Sequence, residues 1–269
     1  MITKFLITGD LHGRIGLDRF NNIKDELNDS VGVILLGDAG FNFYLNSSDH
    51  KMKMAAAKYG CYFYCVRGNH EARPEDIGSM TLVWDDNVNG KIYMENEYPH
   101  IRYFQDGGIY NINGHSVLVI GGAYSVDKHY RLWRAGLTEE NNNPKVSGWF
   151  ENEMLNMNEM ANIFKLVDRQ SFDVILTHTC PISIEPTDLF LDMVDQSSVD
   201  KTMERFLERI KNNVQWGVWC FGHFHHDRLE RPRMEQYYVD IEDLETIINR
   251  WKNNDIPWWL VKSPHYFWE

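Results

Sequence analysis

The sequence has few cysteines, no long hydrophobic run and fewer basic than acidic residues. Its four cysteines, at positions 61, 65, 180 and 220, are too few for the disulfide framework of a small secreted domain. No segment approaches the ~20 consecutive apolar residues that a membrane-spanning helix needs. The first residues carry neither a basic leader nor a small-residue cleavage site. We therefore expect a soluble cytoplasmic protein that does not associate with a membrane.

The shortage of basic residues affects which partners the protein is expected to bind. The chain has 27 Lys and Arg against 39 Asp and Glu, a net charge of −12. A field of this sign repels polyanions, so nucleic acid is not the expected partner, although the charge is compatible with a local basic patch. The many aromatic residues predict a core with a few groove-lining rings rather than a platform for bases. Nothing in the sequence indicates the oligomeric state.

Short apolar runs alternate with segments of helical spacing, which predicts an α/β fold, and the length of 269 residues fits a single domain over residues 1–269. Strands are predicted near 3–8, 32–36, 61–66, 116–120, 172–177 and 216–221. Helices are predicted near 17–28, 48–59, 147–168, 199–212 and 241–252. Asn113-Gly114 predicts a tight turn in a hairpin over 107–122, and Tyr237-Tyr238-Val239 predicts a short strand. No role is predicted for the aromatic tail from Trp258 to Trp268.

Candidate metal ligands follow five of the predicted strands. Open α/β sheets place their sites beyond the carboxyl ends of strands, so these side chains are expected to meet. They are Asp10 and His12, Asp38, Asn69, His178, and His223 with His225.

Each cluster alone has an ordinary structural explanation. A Gly-Asp pair after a strand is commonly a turn or a helix cap, and a single His such as His178 is commonly a hydrogen-bonded structural residue. Five clusters in one chain, with glycine beside four of them to allow close backbone approach, favour a metal site instead.

These motifs resemble those of the calcineurin-like metallophosphoesterases. The resemblance covers residues 10–225 and rests on Asp10-Leu11-His12, Gly37-Asp38, Gly68-Asn69-His70-Glu71, His178 and Gly222-His223-Phe224-His225. It implies a four-layer αββα sandwich with two inner sheets. It implies one metal held by Asp10, His12, Asp38 and His225, and a second held by Asp38, Asn69, His178 and His223.

The implied chemistry is hydrolysis of a phosphate ester. Two metals can share a bridging hydroxide for in-line attack on phosphorus, with Asp38 as the bridging ligand. Mixed nitrogen and oxygen ligands favour manganese or iron, with zinc as an alternative. By the same resemblance His70 protonates the leaving oxygen, while a structural role in orienting a ligand is the alternative.

Phosphate binding is expected to need arginine, and Arg14 and Arg131 are the candidates because they follow the first motif and the hairpin. Other arginines near the predicted loops are expected to be ordinary surface residues: Arg67, Arg73 and Arg134. Glu71 is expected to be a charge at the start of a helix.

The substrate class stays open. Gly37-Asp38-Ala39-Gly40-Phe41-Asn42 departs from the Gly-Asp-x-x-Asp-Arg-Gly of phosphoprotein phosphatases, which removes a usual partner of His70. We expect a phosphatase for a phosphomonoester, either a phosphoprotein or a small metabolite. A phosphodiesterase for cyclic nucleotides or nucleic acid is the alternative, and a scaffold without catalysis is a further one. A zinc knuckle built on the cysteines lacks the second half that such a site needs.

Overall fold

The computed structural model describes residues 1–190, 195–231 and 233–253. In chain order the strands there are β1 (Lys4–Thr8), β2 (Val31–Leu35), β3 (Tyr62–Cys65), β4 (Met80–Asp85), β5 (Gly90–Glu95), β6 (Ile101–Phe104), β7 (Gly108–Ile112), β8 (His115–Ile120), β9 (Ser171–Thr177), β10 (Gln215–Phe221), β11 (Arg228–Arg231), β12 (Met234–Gln236) and β13 (Glu242–Asp243). The α-helices are α1 (Arg14–Leu17), α2 (Ser47–Ala57), α3 (Lys128–Ala135), α4 (Pro144–Ser147), α5 (Met157–Val167), α6 (Thr202–Asn213) and α7 (Leu244–Lys252). Short 3-10 helices occupy Asp18–Glu26, Pro74–Asp76, Ile182–Ile184, Thr187–Leu189 and Gln196–Ser198.

The strands form two mixed sheets. The first has the order β13-β1-β2-β3-β6-β5-β4, with β1, β2, β3 and β6 parallel. The second has the order β11-β12-β10-β9-β8-β7, with β12, β10, β9 and β8 parallel. Parallel strands are buried on both faces, which explains their nearly continuous apolar sequences.

Three apolar cores separate the layers. The first core lies between the two sheets, where Ile7 and Ile34 of one sheet join Val119 and Val174 of the other. The second packs the far face of the β7-containing sheet against α5 and α6. The third packs the far face of the β1-containing sheet against α2 and the 3-10 helix that follows α1. The order helix, sheet, sheet, helix confirms the predicted four-layer αββα sandwich.

The predicted elements are confirmed in most places. The six predicted strands correspond to β1, β2, β3, β8, β9 and β10, and the hairpin turn has positive φ at Asn113 (51°) and Gly114 (89°). The helices predicted near 48–59, 199–212 and 241–252 correspond to α2, α6 and α7.

Three predicted elements are wrong. The helix over 17–28 is mostly a 3-10 helix after the four-residue α1, with a non-helical break at Ile23. The helix over 147–168 is confined to α5, because Asn156 and Glu159 form a capping box that starts the helix there. The strand at Tyr237-Tyr238-Val239 lies three residues earlier, as β12. The tail from Trp258 lies outside the described residues. Among those described, no helix is long and apolar enough to cross a bilayer.

Candidate metal centre

Five loops meet where the parallel strands of the two sheets end. Asp10 and His12 follow β1, Asp38 follows β2 and Asn69 follows β3, all in the first sheet. His178 follows β9, and His223 and His225 follow β10, both in the second sheet. The seven side chains predicted from five separated segments therefore converge at one edge of the sandwich.

One group of potential ligand atoms contains Asp10, His12 and His225. Asp10 Oδ2 lies 3.5 Å from His12 Nε2 and 3.3 Å from His225 Nε2, and the two imidazole nitrogens are 2.7 Å apart. Asp10 is fully buried, and its Oδ2 accepts no hydrogen bond from the residues that the structure describes. Its other oxygen, Oδ1, accepts the backbone N–H of His223 at 3.0 Å.

A second group contains Asp10, Asp38 and His178. His178 Nε2 lies 3.7 Å from Asp38 Oδ2 and 2.8 Å from Asn69 Oδ1. The ring of His223 lies 4.9 Å from the ring of His178, centroid to centroid. Asp38 Oδ2 also lies 3.8 Å from His12 Nε2, so this carboxylate connects the two groups.

The protonation pattern tests whether these residues fit a cation. His178 Nδ1 lies 2.7 Å from the carbonyl oxygen of Leu36 and donates its proton there, so a neutral ring has its lone pair on Nε2. Asn69 donates through Nδ2 to Ser125 Oγ at 2.8 Å, which orients its Oδ1 toward His178. With the ring in the neutral form that binds metals, two lone pairs face each other at 2.8 Å. Together with the unpartnered Asp10 Oδ2, this arrangement of nitrogen and oxygen donors fits transition metals of the manganese, iron and zinc kind.

The electrostatics favour the protonation states that metal ligands need. Burial opposes ionisation of Asp10, but the adjacent imidazoles of His12 and His225 outweigh it and hold its pKa well below the usual range. Burial likewise opposes ionisation of Asp38, and electrostatic interaction with the nearby imidazoles of His70 and His178 outweighs it and lowers the pKa. Burial, together with His178, lowers the pKa of His223 to about 3. Ionised carboxylates and a neutral imidazole are the forms that bind metals.

The backbone of the centre is held in an uncommon conformation. Four of the candidate ligands are non-glycine residues with positive φ: His12 (48°), Asp38 (44°), His223 (71°) and His225 (53°). His and Asp tolerate the left-handed region better than most residues, yet each instance costs of order 1–3 kcal/mol. Such strained residues cluster at functional sites, where the surrounding structure holds them in place.

His70 and Arg131 lie beside the ligand cluster. His70 donates its backbone N–H to Asp38 Oδ1 at 2.8 Å, and its Nε2 lies 3.4 Å from Arg131 Nη2. Its Nδ1 is buried without a hydrogen-bond partner. Burial lowers the pKa of His70, and the negative charge of Asp38 opposes this. Arg131 is oriented by Asp127 Oδ2 at 2.7 Å, and Arg14 is exposed and lines the same cleft.

Two arginines expected at the surface are buried instead. Arg67 is 1% exposed, and its guanidinium donates to Asp106 Oδ2 at 2.9 Å and to the carbonyl of Glu153 at 2.6 Å. Arg73 is also buried and pairs with Glu159 at 2.6 Å. The expectation was wrong because a guanidinium can bind several loop carbonyls and carboxylates at once. Arg134 is exposed, as expected.

Glu71 differs from its expected role as a charge at a helix start. No helix begins there; the side chain is buried and accepts hydrogen bonds from the Gly68 N–H at 2.8 Å and the Tyr103 hydroxyl at 2.7 Å. Burial, with a contribution from the charge of Asp38, raises its pKa to about 7. Glu71 therefore shapes the loop that carries Asn69 and His70.

Sequence reasoning missed three residues that support the ligands. Ser125 accepts from Asn69 and donates to Glu153 Oε2 at 2.5 Å. Arg19 donates to the backbone carbonyl of Asp10 at 2.7 Å. Ser125 follows β8, so the strand-end rule that found the ligands could have found it. Glu153 and Arg19 lie outside strand ends and carry no comparable signal.

Comparison with known proteins agrees with this geometry. The family model described as calcineurin-like phosphoesterase matches residues 3–227. One solved structure to which the chain is similar is phosphopantetheinyl hydrolase from Mycobacterium tuberculosis, with 12% sequence identity and a TM-score of 0.43, over 99% of this chain and 98% of that one. No curated protein sequence matches the chain. The chain belongs to the calcineurin-like phosphoesterase family of binuclear metal enzymes and is a metal-dependent phosphoesterase.

Proposed function

We propose that this protein is a phosphatase that hydrolyses a phosphomonoester at the cluster around Asp38. The observation that carries the proposal is the convergence of two carboxylates and three imidazoles, with Asp10 Oδ2 buried and without a hydrogen-bond partner. Such donors suit two divalent metals. Bound there, a pair of such metals lowers the pKa of water and neutralises charge on phosphate oxygens.

The ligands divide into two overlapping sets. We assign one metal to Asp10, His12, Asp38 and His225, and the other to Asp38, Asn69, His178 and His223. The short distances among Asp10, His12 and His225 support the first set, and those of His178 to Asp38 and Asn69 support the second. Manganese or iron is the proposed pair, with zinc as the alternative, because all three accept mixed nitrogen and oxygen ligands.

His70 is the proposed proton donor to the leaving oxygen. Its ring is near the ligands, with centroids of His12 and His70 5.9 Å apart, and its Nε2 faces the cleft beside Arg131. A bound phosphate places negative charge beside the ring, which favours the protonated imidazole that can donate. The close contact with Asp38 is made by the His70 backbone N–H and not by the imidazole.

The positive charge beside the centre supports a monoester over a diester. A phosphate monoester carries close to two negative charges at neutral pH, whereas a diester carries one. The guanidinium of Arg131 lies at the centre, and Arg14 lines the adjoining cleft. We propose that both bind phosphate oxygens.

A phosphodiesterase is the second candidate. Two clefts open from the centre, and Asp38 and His70 line both of them. A diester has two groups on its phosphate, and the two clefts would accommodate one each.

An activity comparison distinguishes the two. The purified protein is supplied with Mn²⁺ and assayed with p-nitrophenyl phosphate and bis-p-nitrophenyl phosphate. We expect a higher kcat/KM for the monoester. The reverse order would favour the diesterase, and failure to hydrolyse either ester with Mn²⁺, Fe²⁺ or Zn²⁺ would contradict both.

A further inference from the structure

One of the two clefts is basic. It has a volume of about 780 Å³ and runs from His12, Asp38 and His70 along α2. Lys51 of α2 and Lys58, which caps the C-terminus of α2 in a helical conformation, line it. Because they are seven residues apart, they lie on one face of the helix, about 10 Å from each other along its axis. The charge of this cleft contrasts with the net charge of −12.

Of the cations in this cleft, Arg131 pairs with Asp127, whereas the others lack anionic partners in the described part of the protein. Among the described residues, no carboxylate lies within ion-pairing distance of Arg14, Lys51 or Lys58. Asp38, a proposed metal ligand, is the one carboxylate in the described lining. Unpaired cations in a cleft produce a positive potential that attracts an anionic ligand.

The cleft also offers apolar surface between its charges. Tyr44 is 52% exposed and Met54 is 47% exposed, and both line it. The ring of Phe43 packs edge-on against Tyr44, with centroids 4.8 Å apart. Ligand pockets of this size are typically apolar with a few polar groups that fix orientation.

The cleft on the other side of Asp38 and His70 has the opposite charge. Its volume is about 340 Å³, and besides Asp38 it is lined by the carboxylates of Asp127, Glu185 and Asp200 and by the buried carboxyl group of Glu204. Its described lining has one lysine, Lys201, which pairs with Glu185 at 2.7 Å. An anionic group on the substrate is therefore favoured on the α2 side of the centre and disfavoured on the other.

We infer that the substrate is a small phosphoester with a second phosphate, which binds Lys51 and Lys58 while the ester phosphate lies at Asp38 and His70. This inference rests on the proposed function and adds the substrate class. A nucleic acid strand would continue its phosphates past the centre into the acidic cleft, so the charge asymmetry favours a small molecule. Tyr44 and Met54 cover the body of the molecule between its phosphates.

The test compares a doubly phosphorylated compound with singly phosphorylated ones. KM is measured for adenosine 3′,5′-bisphosphate, for adenosine 3′- and 5′-monophosphate and for p-nitrophenyl phosphate, with Mn²⁺ present. We expect the lowest KM for the bisphosphate. In the variant Lys51→Gln/Lys58→Gln, the ratio of KM for the bisphosphate to KM for p-nitrophenyl phosphate should rise about threefold to tenfold, as the loss of two exposed ionic contacts implies.

The matched control is Lys91→Gln/Lys165→Gln, which makes the same change in net charge at exposed positions outside the cleft. It should leave the KM ratio unchanged. Equal KM values for all adenosine phosphates, an equal shift in the control, or a lysine-dependent preference for a single-stranded oligonucleotide would overturn the inference.

A binding measurement separates this inference from the proposed function. Calorimetric titration with adenosine 3′,5′-bisphosphate needs no turnover. If p-nitrophenyl phosphate is not hydrolysed, the proposed function fails; binding of the bisphosphate that weakens in Lys51→Gln/Lys58→Gln and not in the control would still support the basic subsite. Binding unaffected by the two lysines would overturn it.

Discussion

The carboxylate of Asp38 lies between two imidazoles that are far apart in the sequence. Its Oδ2 is 3.8 Å from His12 Nε2 and 3.7 Å from His178 Nε2, while its Oδ1 accepts the His70 backbone N–H. We predict that Asp38→Ala loses both metals and nearly all activity, because both proposed ligand sets include this residue. Metal content by mass spectrometry, together with turnover of p-nitrophenyl phosphate, measures the two effects.

His70→Ala separates catalysis from metal binding. The proposed role of the imidazole is proton donation, and its loss should reduce kcat by about 10²–10⁴-fold while both metals stay bound. The backbone N–H that contacts Asp38 is retained in this variant. If His70→Ala loses as much metal as Asp38→Ala, the imidazole has a structural role and not a catalytic one.

Gly68 allows the loop after β3 to approach Asp38. A Cβ at this position would lie 2.0 Å from Asp38 Oδ1 and 2.2 Å from the Asp38 backbone nitrogen, too close for any side chain. We predict that Gly68→Ala displaces the carboxylate and lowers the affinity for metal by at least about tenfold, as loss of a ligand's supporting contacts commonly does. Gly78→Ala is the matched control, because nothing lies within 4 Å of its added Cβ. Equal metal affinity in the two variants, measured by competition with a chelator, would contradict the steric argument.

The convergence of the candidate ligands could be predicted from the sequence because their signal is local. Each candidate ligand lies within four residues of the end of an apolar strand, and the carboxyl ends of parallel strands lie at one edge of the sheet. The supporting contacts could not be predicted, because Glu153 and Arg19 reach the site through tertiary packing that leaves no spacing pattern. The same holds for Arg67 and Glu71, whose burial depends on partners from distant loops.

At the scale of secondary-structure elements, apolar runs predicted the strands better than helical spacing predicted the helices. Six of the buried parallel strands have continuous apolar sequences, and these six were predicted. The unit β4–β6 was missed because it extends one edge of its sheet, where much of β4 is exposed and its sequence is mixed. Helical spacing predicted an α-helix where the structure has the 3-10 helix at Asp18–Glu26, since tertiary contacts can override helical propensity.

Helix α6 contains a buried carboxyl group that should make stability depend on pH. Among the described residues, Glu204 forms no ion pair. The Thr179 hydroxyl donates a hydrogen bond to Glu204 Oε1 at 2.8 Å, and Glu204 Oε2 has no hydrogen-bond partner. Burial raises its pKa from 4.5 to about 7. Between these two values the unfolded chain loses the proton while the folded protein keeps it, so the free energy of unfolding falls as pH rises.

The variant Glu204→Gln should remove this dependence. We predict that its free energy of unfolding equals that of the natural protein near pH 4.5 and exceeds it by about 2–3 kcal/mol at pH 8, since each pKa unit corresponds to ~1.4 kcal/mol. Urea unfolding at the two pH values measures the difference. Glu151→Gln, at an exposed position, is the control and should show no such divergence. A variant less stable than the natural protein at pH 8 would mean that the carboxylate is ionised and bound to an unseen partner.

At the scale of the whole molecule, the core extends beyond the segment matched by the family. The match ends at residue 227, yet Leu244, Ile247 and Ile248 of α7 belong to the core between the sheets. Arg250 of the same helix pairs with the buried Glu235 at 2.8 Å, and β13 pairs with β1. The C-terminal segment thus packs with both sheets. The single domain over residues 1–269 and the cytoplasmic location stay predictions.

The reactivity of the four cysteines reports whether the whole sandwich is folded. Cys61 directly precedes β3 and Cys65 is its last residue, while Cys180 and Cys220 belong to the other half, and all four are free and buried. Burial raises the pKa of the Cys61 thiol to about 12 and raises those of the other three well above the ordinary value. The thiolate is the reactive form, so these groups should be inert in the folded protein at pH 8.

We predict that a thiol reagent such as 5,5′-dithiobis(2-nitrobenzoate) labels none of the four cysteines in the native protein within minutes and all of them in denaturant. Because the thiols are distributed over both sheets, the four should become reactive together, at the rate of global unfolding. Asn158→Cys adds a thiol at an exposed position of α5 and should react at once, which verifies the reagent. Early reaction of Cys180 and Cys220 ahead of Cys61 and Cys65 would show that the second half opens separately, and the two sheets would then be distinct cooperative units instead of one.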